Sequence, residues 1–407
     1  MPNSTQKLYI VMTGLPARGK STIAARIKES FLASDIATEI FNNGDLRRRL
    51  IDRNTAGADF YDPNNTQGTA LREHIAVTNI KNAAQFIAQG GDVAILDATN
   101  VSRKRRELIL SMLTDHPVLF IETVNSDPEI LEANINRKVR SPEFAHFSHQ
   151  DAVASFKERI KYYEHIASPF QDEANYIQVD SLHNKILKFW LKDHLPHFEQ
   201  LRDLLVTDYV KNLFLVRHGQ TTDNTVERIG GDAPLTDKGQ EQAFRLSNTF
   251  KSIHLPYIFC SRKQRTWQTA KPICDKQSSG CTLIQLEEFN EIDAGVCEEM
   301  TYEEIKTQMP QVYYERLMDK YNYVYPQGEG YVSMRTRIDR GVKKALFLSG
   351  NADHIVIVGH RAVNRMILAH FLYRRIEDVP YIYVPQNQYY HIISMQQKKL
   401  FELKKIN

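Results

Sequence analysis

Cysteine is scarce in this chain, with four residues in 407, and all four lie in the C-terminal half. They are Cys260, Cys274, Cys281 and Cys297, and no two of them form a Cys-x-x-Cys pair. Their spacing does not fit a zinc site, and so few cysteines in so long a chain do not make a disulfide framework. We expect reduced, buried thiols and a cytoplasmic location.

Long apolar runs and an excess of either charge are also missing. The first apolar run, residues 8–12, is strand-sized and too short for a signal peptide. No stretch approaches the roughly 18 apolar residues of a membrane span. Lys and Arg number 52 against 49 Asp and Glu, a formal charge of +3. This balance argues against a nucleic-acid coat or a polybasic membrane anchor, so we expect neither kind of partner.

What the chain does contain is a repeated alternation of strand and helix patterns, which favours an α/β fold with mainly parallel sheets. Its length suggests two domains at about 100–200 residues each, and we place them at residues 1–210 and 211–407. A long amphipathic helix interrupted at Pro196 is predicted over residues 186–210. The other predicted strands are residues 7–13, 93–96, 118–124, 213–216, 257–260 and 355–358. The other predicted helices are residues 21 onwards, 102–113, 151–166, 236–250 and 362–372.

A Gly-rich turn follows the first predicted strand and opens the first helix. Residues 14–21 (GLPARGKS) match G-x-x-x-x-G-K-[ST], in which backbone amides and a helix N-terminus surround a polyphosphate. We expect Lys20 to reach the β- and γ-phosphates of a nucleotide and Ser21 to ligate Mg²⁺. Asp97 ends a buried strand, where it could also hold Mg²⁺ or accept the proton of an acceptor hydroxyl. The predicted nucleotide-binding residues of this turn are Gly14, Arg18, Gly19, Lys20 and Ser21.

A basic stretch indicates what accepts the phosphoryl group. Residues 97–100 (DATN) run directly into residues 103–106 (RKRR), at the C-terminal end of a strand, where open α/β sheets bind ligands. Guanidinium groups suit a bidentate contact with phosphate. The acceptor is therefore expected to carry a phosphate already.

Two histidines follow strands in the second half. His218 follows residues 213–216, and His360 follows residues 355–358. We expect a neutral His218 to attack phosphorus, while Arg217, Arg265 and His360 stabilise the phosphoryl oxygens. Glu291 is the predicted acid that protonates the leaving alkoxide and then activates water. This chemistry needs no cofactor.

The chain resembles the bifunctional 6-phosphofructo-2-kinase/fructose-2,6-bisphosphatase family over about residues 8–394, in the family's kinase-then-phosphatase order. The resemblance rests on residues 14–21, 41–44 (FNNG), 97–100, 228–232 (RIGGD), 290–298 (NEIDAGVCE) and 326–329 (PQGE). It implies a P-loop kinase domain and a histidine-phosphatase domain with a phosphoglycerate-mutase-like fold. The implied activities are ATP-dependent phosphorylation of fructose 6-phosphate at O2 and hydrolysis of the 2-phosphate through a phosphohistidine. A homodimer is implied as well.

Further site residues are implied by position in the family. Lys138 matches a nucleotide contact, although the spacing between Asn134 and Ser141 is one residue short. The residues that match the fructose 6-phosphate contacts are Arg48, Arg72, Thr99, Arg105, Arg159 and Tyr163. Those that match the grip on the scissile 2-phosphate are Arg217, Asn224 and Arg265. Those that match the grip on the other end of the bisphosphate are Tyr302, Arg316, Lys320 and Arg365.

The chain departs from the family pattern beside the bisphosphate. Arg361 stands where the family commonly has Gln, next to the 6-phosphate, and Gln220 replaces the usual Glu. We expect Arg361 to tighten binding and slow release, or to alter substrate choice. Little chain precedes or follows the two halves, so we expect no terminal regulatory extension.

Two other interpretations stay open at this point. P-loop kinases fused to phosphatases can repair nucleic-acid ends, although the charge balance disfavours the extended basic groove that strand binding needs. The second alternative is a sugar-phosphate sensor with one or both pockets silent. The presence of Lys20, Asp97, His218, Glu291 and His360 argues against such a sensor.

Overall fold

The structure, a computed structural model, describes residues 6–51, 55–171, 173, 175–372 and 375–406. Contacts between Cα atoms divide the chain into two units, Met1–Thr207 and Asp208–Asn407. The division falls three residues before the boundary expected after residue 210. Each unit holds a six-stranded, largely parallel sheet, so the predicted two-domain α/β architecture is confirmed.

The first unit forms its sheet from strands that come mostly from its N-terminal two thirds. The strands are β1 (Leu8–Thr13), β2 (Thr38–Asn42), β3 (Val93–Asp97), β4 (Val118–Val124), β5 (Asn175–Asp180) and β6 (Lys185–Trp190). They are ordered β2-β3-β1-β4-β5-β6, and only the β5–β6 pair is antiparallel. The helices are α1 (Lys20–Leu32), α2 (Asn43–Leu50), α3 (Thr66–Ala88), α4 (Arg103–Met112), α5 (Pro128–Lys138), α6 (His149–Ile166) and α7 (Phe198–Val206). Short 3₁₀ turns cover Ala58–Tyr61 and Pro142–Phe144.

The central strand β1 explains where the ligand-binding edge of this sheet lies. All six of its residues are buried, as expected for a parallel strand that is covered on both faces. Met12 is in register with Asp97 on β3, and Asp97 is in register with Asn42 on β2. The carboxyl ends of three parallel strands therefore meet at one edge, directly beside the turn that follows β1.

The predicted long helix over residues 186–210 is wrong. Lys185–Trp190 is instead an edge strand that pairs antiparallel with β5, and only α7 is helical. Four residues separate β5 from β6, which is enough for a hairpin but too few for a parallel crossover. The run Ile186, Leu187, Phe189 and Trp190 fits both patterns, so the short connection decided its structure.

The second unit also forms a six-stranded sheet. Its strands are β7 (Val210–Arg217), β8 (Tyr257–Cys260), β9 (Thr282–Gln285), β10 (Ile355–Gly359), β11 (Gln388–Ser394) and β12 (Lys399–Lys405). The order is β12-β11-β7-β10-β8-β9, with β11 antiparallel to both of its neighbours. The helices are α8 (Thr222–Thr225), α9 (Asp237–Phe250), α10 (Gln264–Asp275), α11 (Tyr302–Gln308), α12 (Pro310–Met318), α13 (Tyr331–Ser349) and α14 (Arg361–Phe371). Short 3₁₀ turns cover Glu287–Phe289, Gly295–Cys297 and Ile376–Tyr381.

Parallel pairing again brings chemistry-bearing residues to one edge. Arg217 at the end of β7 is in register with Gly359 at the end of β10, and the amide of His218 donates to Gly359 O at 3.0 Å. Ser261 follows β8, which pairs with β10 on its other side. His218, Ser261 and His360 therefore leave three adjacent strands at the same edge of the sheet.

The four cysteines are free thiols, as predicted, but only two of them are buried. Cys260 and Cys297 are enclosed, whereas Cys274 and Cys281 are half-buried. The last two lie at the end of α10 and just before the edge strand β9, where the sheet stops and less structure covers them. Within the described part of the chain, no helix combines the length and apolarity that crossing a bilayer requires.

The basic stretch over residues 103–106 divides into side chains with different roles. Arg106 is fully buried, and its guanidinium donates to Glu173 Oε1 at 2.7 Å and to Val101 O at 2.8 Å. It also lies 4.1 Å from the centre of the Phe170 ring. Arg103 is half exposed and pairs with Glu107 on the helix surface. Arg106 therefore stabilises the fold and is not a ligand contact.

Removing the Arg106 charge should destabilise the first unit strongly. Arg106→Met leaves Glu173 buried without its partner, and breaking a buried pair costs about 3–5 kcal/mol. Arg103→Met, which breaks an exposed pair, should cost less than about 1 kcal/mol. Urea unfolding followed by Trp190 fluorescence in a Trp267→Phe background reports the first unit alone, because these are the two tryptophans of the chain. Equal losses for the two variants would contradict this assignment.

Candidate active sites

The turn after β1 wraps around the N-terminus of α1. Gly14 has a φ of +126°, and a Cβ at this position would lie 2.4 Å from Thr123 O, so the turn requires glycine there. Gly19 has a φ of 87° and caps α1. Lys20 Nζ donates to Gly14 O and to Leu15 O, both at 2.7 Å. An ammonium group is thus held within the loop at a helix N-terminus, an arrangement that binds phosphate.

The protonation of Lys20 responds to its surroundings. Its side chain is only 9 % exposed. Burial lowers the pKa of Lys20 to about 7; Asp97 opposes this shift, and the charges of Lys138 and Arg159 reinforce it. An anion that enters the loop would favour the charged form of Lys20.

A cavity of about 970 Å³ opens in front of this loop, within the roughly 300–1,000 Å³ range of small-molecule sites. Gly14, Arg18 and Gly19 are not part of its lining, so their contacts with a nucleotide stay a prediction. The cavity brings together ten of the residues singled out from the sequence: Lys20, Ser21, Arg48, Arg72, Asp97, Thr99, Arg105, Lys138, Arg159 and Tyr163.

Two oxygen donors in this cavity fit a magnesium ion. The Asp97 carboxylate is nearly buried, and its Oδ2 accepts from Asn42 Nδ2 at 2.5 Å. Ser21 lines the same cavity in the first turn of α1. Mg²⁺ usually takes one or two protein ligands and completes its shell with phosphate and water. One carboxylate and one hydroxyl therefore suit Mg²⁺ that is bound together with phosphates.

Carboxylates and aromatic rings hold the arginines of this cavity in place. Glu143 Oε2 accepts from Arg47 at 2.5 Å and from Arg48 at 3.3 Å, and Glu73 pairs with Arg105 at 2.7 Å. These partners reduce the repulsion between guanidinium groups that must lie close together to hold one phosphate.

The ring of Tyr61 is the centre of a second set of contacts. The guanidinium carbons of Arg47, Arg72 and Arg159 lie 5.7, 5.9 and 3.8 Å from its centroid. The ring face stabilises these cations without adding a charge. Neither Tyr61 nor the partner Glu143 was predicted to belong to the site, because no motif marks a counter-charge or a stacking ring.

A smaller cavity of about 360 Å³ lies at the carboxyl edge of the second sheet. It brings together all but one of the residues proposed for the second half. Those that line it are Arg217, His218, Asn224, Arg265, Glu291, Tyr302, Arg316, Lys320, Arg361 and Arg365.

His218 is arranged as a neutral nucleophile. Its ring is 4 % exposed, and Nδ1 lies 2.7 Å from Gly219 O. A carbonyl oxygen can only accept, so Nδ1 carries the proton and Nε2 keeps its lone pair. Burial, reinforced by the charges of Arg265 and Arg217, lowers the pKa of His218 well below its usual range. The lone pair therefore stays available across neutral pH.

His360 is the predicted residue that does not line the cavity. It is fully buried, and its ring centre lies 5.2 Å from that of His218. Its Nε2 lies 2.8 Å from Ser261 Oγ, and its Nδ1 accepts from Arg265 Nε at 3.2 Å. His360 therefore contacts Arg265, which lines the cavity, and the expected stabilisation of phosphoryl oxygens by His360 stays a prediction.

The carboxyl group of Glu291 lines the same cavity as these cations. Its Oε1 accepts from the amide of Ile292 at 3.0 Å, and its Oε2 accepts from the amide of Ala362 at 3.4 Å, near the start of α14. Gln386, which was not predicted, donates to Asn224 Oδ1 at 2.9 Å. Neither helix periodicity nor a motif marks Gln386, because it lies in the loop before β11.

The far end of the cavity combines cations with tyrosines. The Arg316 guanidinium lies 5.4 Å from the ring centre of Tyr302, and Arg365 donates to the Tyr331 hydroxyl at 3.0 Å. Burial, followed by the charge of Arg365, lowers the pKa of Lys320 to about 8. Such a set of partly desolvated cations can hold a second phosphate group.

Comparison with known proteins relates the two halves of the chain to one family. The family model of 6-phosphofructo-2-kinase matches residues 1–198, and that of the histidine phosphatase superfamily (branch 1) matches residues 213–407. The rat 6-phosphofructo-2-kinase/fructose-2,6-bisphosphatase 1 is 32% identical over 386 residues, covering 92% of this chain and 79% of that protein. The human protein of the same name is 32% identical over 388 residues, with the same coverage.

This chain belongs to the 6-phosphofructo-2-kinase/fructose-2,6-bisphosphatase family. Among solved structures, a putative α-ribazole-5'-P phosphatase from Escherichia coli is similar to it, with 22% identity and a TM-score of 0.45. That match covers 48% of this chain and 96% of the other. The cavity of about 970 Å³ lies in the half of the chain that matches the 6-phosphofructo-2-kinase model. The cavity of about 360 Å³ lies in the half that matches the histidine phosphatase model.

His218 and His370 should have different protonation states near neutral pH. His218 should stay neutral from pH 8 down to pH 7, because burial and the neighbouring cations lower its pKa well below its usual range. Hydrogen bonds and charge from Asp208 and Asp339 oppose burial and raise the pKa of His370 to about 9, so His370 should stay protonated over the same range. Long-range ¹H–¹⁵N spectra of histidine-labelled protein measure both. A His218 that is protonated at pH 7 would contradict the proposed nucleophile.

Proposed function

We propose that this chain synthesises fructose 2,6-bisphosphate in its first unit and hydrolyses the 2-phosphate of that sugar in its second. The observation that carries the proposal is a cation-lined cavity in each unit, one at a nucleotide-binding loop and one around a neutral histidine. The family to which the chain belongs combines the same two activities in its printed name. Nothing in the described structure or the comparisons favours end processing of nucleic acids or a silent sensor. A cytoplasmic location and a homodimer stay predictions.

In the kinase reaction, the first cavity binds two anions, ATP and fructose 6-phosphate, next to each other. ATP lies with its phosphates in the loop after β1, where Lys20 contacts the β- and γ-phosphates. Ser21 and Asp97 would hold Mg²⁺, which would neutralise part of the phosphate charge. The residues that hold fructose 6-phosphate are Arg48, Arg72, Thr99, Arg105, Arg159 and Tyr163. Catalysis here depends mainly on positioning. The cations offset the repulsion between the negatively charged phosphates of ATP and of the sugar, so that the O2 hydroxyl can approach the γ-phosphorus.

The phosphatase reaction begins at His218. Its Nε2 forms a bond to the phosphorus of the 2-phosphate while the bond from phosphorus to O2 breaks, and Glu291 gives its proton to O2. The oxygens of the phosphoryl group are bound by Arg217, Asn224 and Arg265 while the group is transferred. Glu291 then takes a proton from water, which attacks the phosphohistidine and releases inorganic phosphate. His218 returns to its neutral form, so we propose that this half needs no cofactor.

The other end of the bisphosphate is bound by the cations and tyrosines of the second cavity. Tyr302, Arg316, Lys320 and Arg365 take the 6-phosphate, and Arg361 adds a charge beside it. Remote binding of this kind holds the 2-phosphate in line with His218.

Single substitutions should separate the two activities. Lys20→Met should abolish formation of fructose 2,6-bisphosphate and leave its hydrolysis within about twofold of the parent, because each reaction uses its own unit. His218→Ala should lower hydrolysis by about three orders of magnitude or more and leave synthesis intact. Purified variants assayed for both reactions provide the test, and each variant is the control for the other. A His218→Ala protein that still hydrolyses the bisphosphate at the parental rate would contradict the phosphohistidine step.

The affinity for ATP should depend on pH through Lys20. Its pKa is lowered to about 7, so in the free protein its charge is present below pH 7 and is lost as the pH rises further. Polyphosphate binds the charged form, so the KM for ATP should rise by up to about tenfold per pH unit above that point. Lys20→Arg keeps its charge and should flatten this dependence even if its activity is low. A KM for ATP that is constant from pH 7 to 9 would show that Lys20 is charged throughout.

A further inference from the structure

A second cavity of about 480 Å³ shares a wall with the phosphatase pocket. Arg217, Arg361, Arg365 and Gln386 line both cavities. The remaining lining comes from Lys238 and Gln242 on α9 and from Tyr381, Tyr383, Val384, Pro385 and Asn387. We call this second cavity the annex. The proposed hydrolysis does not use it.

The charges around the annex have one sign. Arg217, Lys238, Arg361 and Arg365 line it, and no Asp or Glu among the described residues does so. The phosphatase pocket differs, because Asp223, Glu227 and Glu291 are part of its lining. Cations that lie close together without a counter-charge are unfavourable, and an anion relieves their repulsion.

The guanidinium group of Arg217 shows the effect of this crowding. Burial, followed by the charge of Arg361, lowers the pKa of Arg217 to about 10, although Glu291 in the phosphatase pocket partly opposes this shift. Its Nη1 donates to Val384 O at 3.3 Å, while its buried Nε has no hydrogen-bond partner in the described structure. A buried donor of this kind is unfavourable unless an acceptor reaches it.

The size and the polar-apolar character of the annex indicate the kind of anion. A volume of about 480 Å³ lies in the range of small-molecule sites and exceeds what one small ion fills. Tyr381 and Tyr383 line it with side chains that are each 64 % exposed, so their rings are open to contact. Arginine and lysine suit the phosphate group, and the rings suit an organic part.

We propose that the annex binds a phosphate monoester of a small organic molecule, with its phosphate between Lys238 and Arg361. Inorganic phosphate carries the same anionic group without an organic part. It is the alternative ligand, and the experiments distinguish it from a monoester.

Occupation of the annex should weaken binding in the phosphatase pocket. The two sites share three guanidinium groups, and an anion on one side of them reduces the attraction that they exert on the other. The annex ligand should therefore raise the KM for fructose 2,6-bisphosphate. This coupling, unlike binding itself, rests on the hydrolysis proposed above.

The binding arm uses crystals of the full chain soaked with tungstate, a phosphate mimic with anomalous scattering, or with phenylphosphonate, which carries a ring and resists hydrolysis. We expect a tungstate peak between Lys238 and Arg361, and a phenylphosphonate ring against Tyr381 or Tyr383. Lys238→Gln should remove both. The control is Lys251→Gln, which removes one positive charge just after the C-terminus of α9, whereas Lys238 lies near its N-terminus. This control should retain both. Tungstate without phenylphosphonate would overturn the monoester in favour of inorganic phosphate, and an annex without either anion would overturn the site.

The kinetic arm measures the KM for fructose 2,6-bisphosphate against phenylphosphonate concentration. Lys238 lines the annex and not the phosphatase pocket, so Lys238→Gln should leave the KM without added anion near the parental value. The phenylphosphonate concentration that doubles the KM should rise roughly tenfold in Lys238→Gln and stay unchanged in Lys251→Gln. Equal inhibition of the two variants would refute the coupling. If the parent did not hydrolyse the sugar at all, the proposed function would fail, while the soaked crystals would still decide on the annex.

Discussion

The structure depends on keeping several positive charges close together at the carboxyl edge of a parallel sheet. Both units do this, and both use the same means. Some cations are partnered in advance, as Arg47 and Arg48 are by Glu143. Others lie on aromatic rings, as Arg159 does on Tyr61. The remaining positive charge has no partner among the described residues and is free to bind a phosphate. The side chains that carry it are already in place before the ligand binds.

Burial, reinforced by this crowding of charge, has different chemical consequences in the two halves. In the first unit, burial and the charges of Lys138 and Arg159 lower the pKa of Lys20 to about 7, so that a bound anion restores the full charge of the lysine. In the second unit, burial and the charges of Arg265 and Arg217 keep His218 neutral, which preserves the lone pair on Nε2. One physical cause, burial among like charges, therefore prepares a phosphate-binding cation in one place and a nucleophile in the other.

Much of this organisation could be predicted from the sequence, because it depends on local signals. Buried strands such as β1 and β10 are continuous apolar runs, and the loop motif lies directly between a strand and a helix. The edge strand β6 was predicted as helix, since its apolar residues fit both patterns and the hairpin that decides between them is a tertiary feature. Tyr61 and Glu143 were missed because counter-charges and stacking rings follow from packing across distant segments. The two histidines do lie next to each other, but the hydrogen bond from Arg265 to His360 depends on side-chain geometry that no motif marks.

The central claim is that one sugar links the two sites of this chain, and the transfer of a labelled phosphoryl group tests it most directly. The intact protein is incubated with Mg²⁺ and ATP labelled at its γ-phosphate, with and without fructose 6-phosphate, and quenched in alkali, which preserves phosphohistidine. Peptide mapping then locates the label. The account predicts label on His218 only when fructose 6-phosphate is present, because the phosphoryl group must pass through O2 of the sugar. Label on His218 without the sugar, or its absence with the sugar while labelled bisphosphate forms and is hydrolysed, would contradict it.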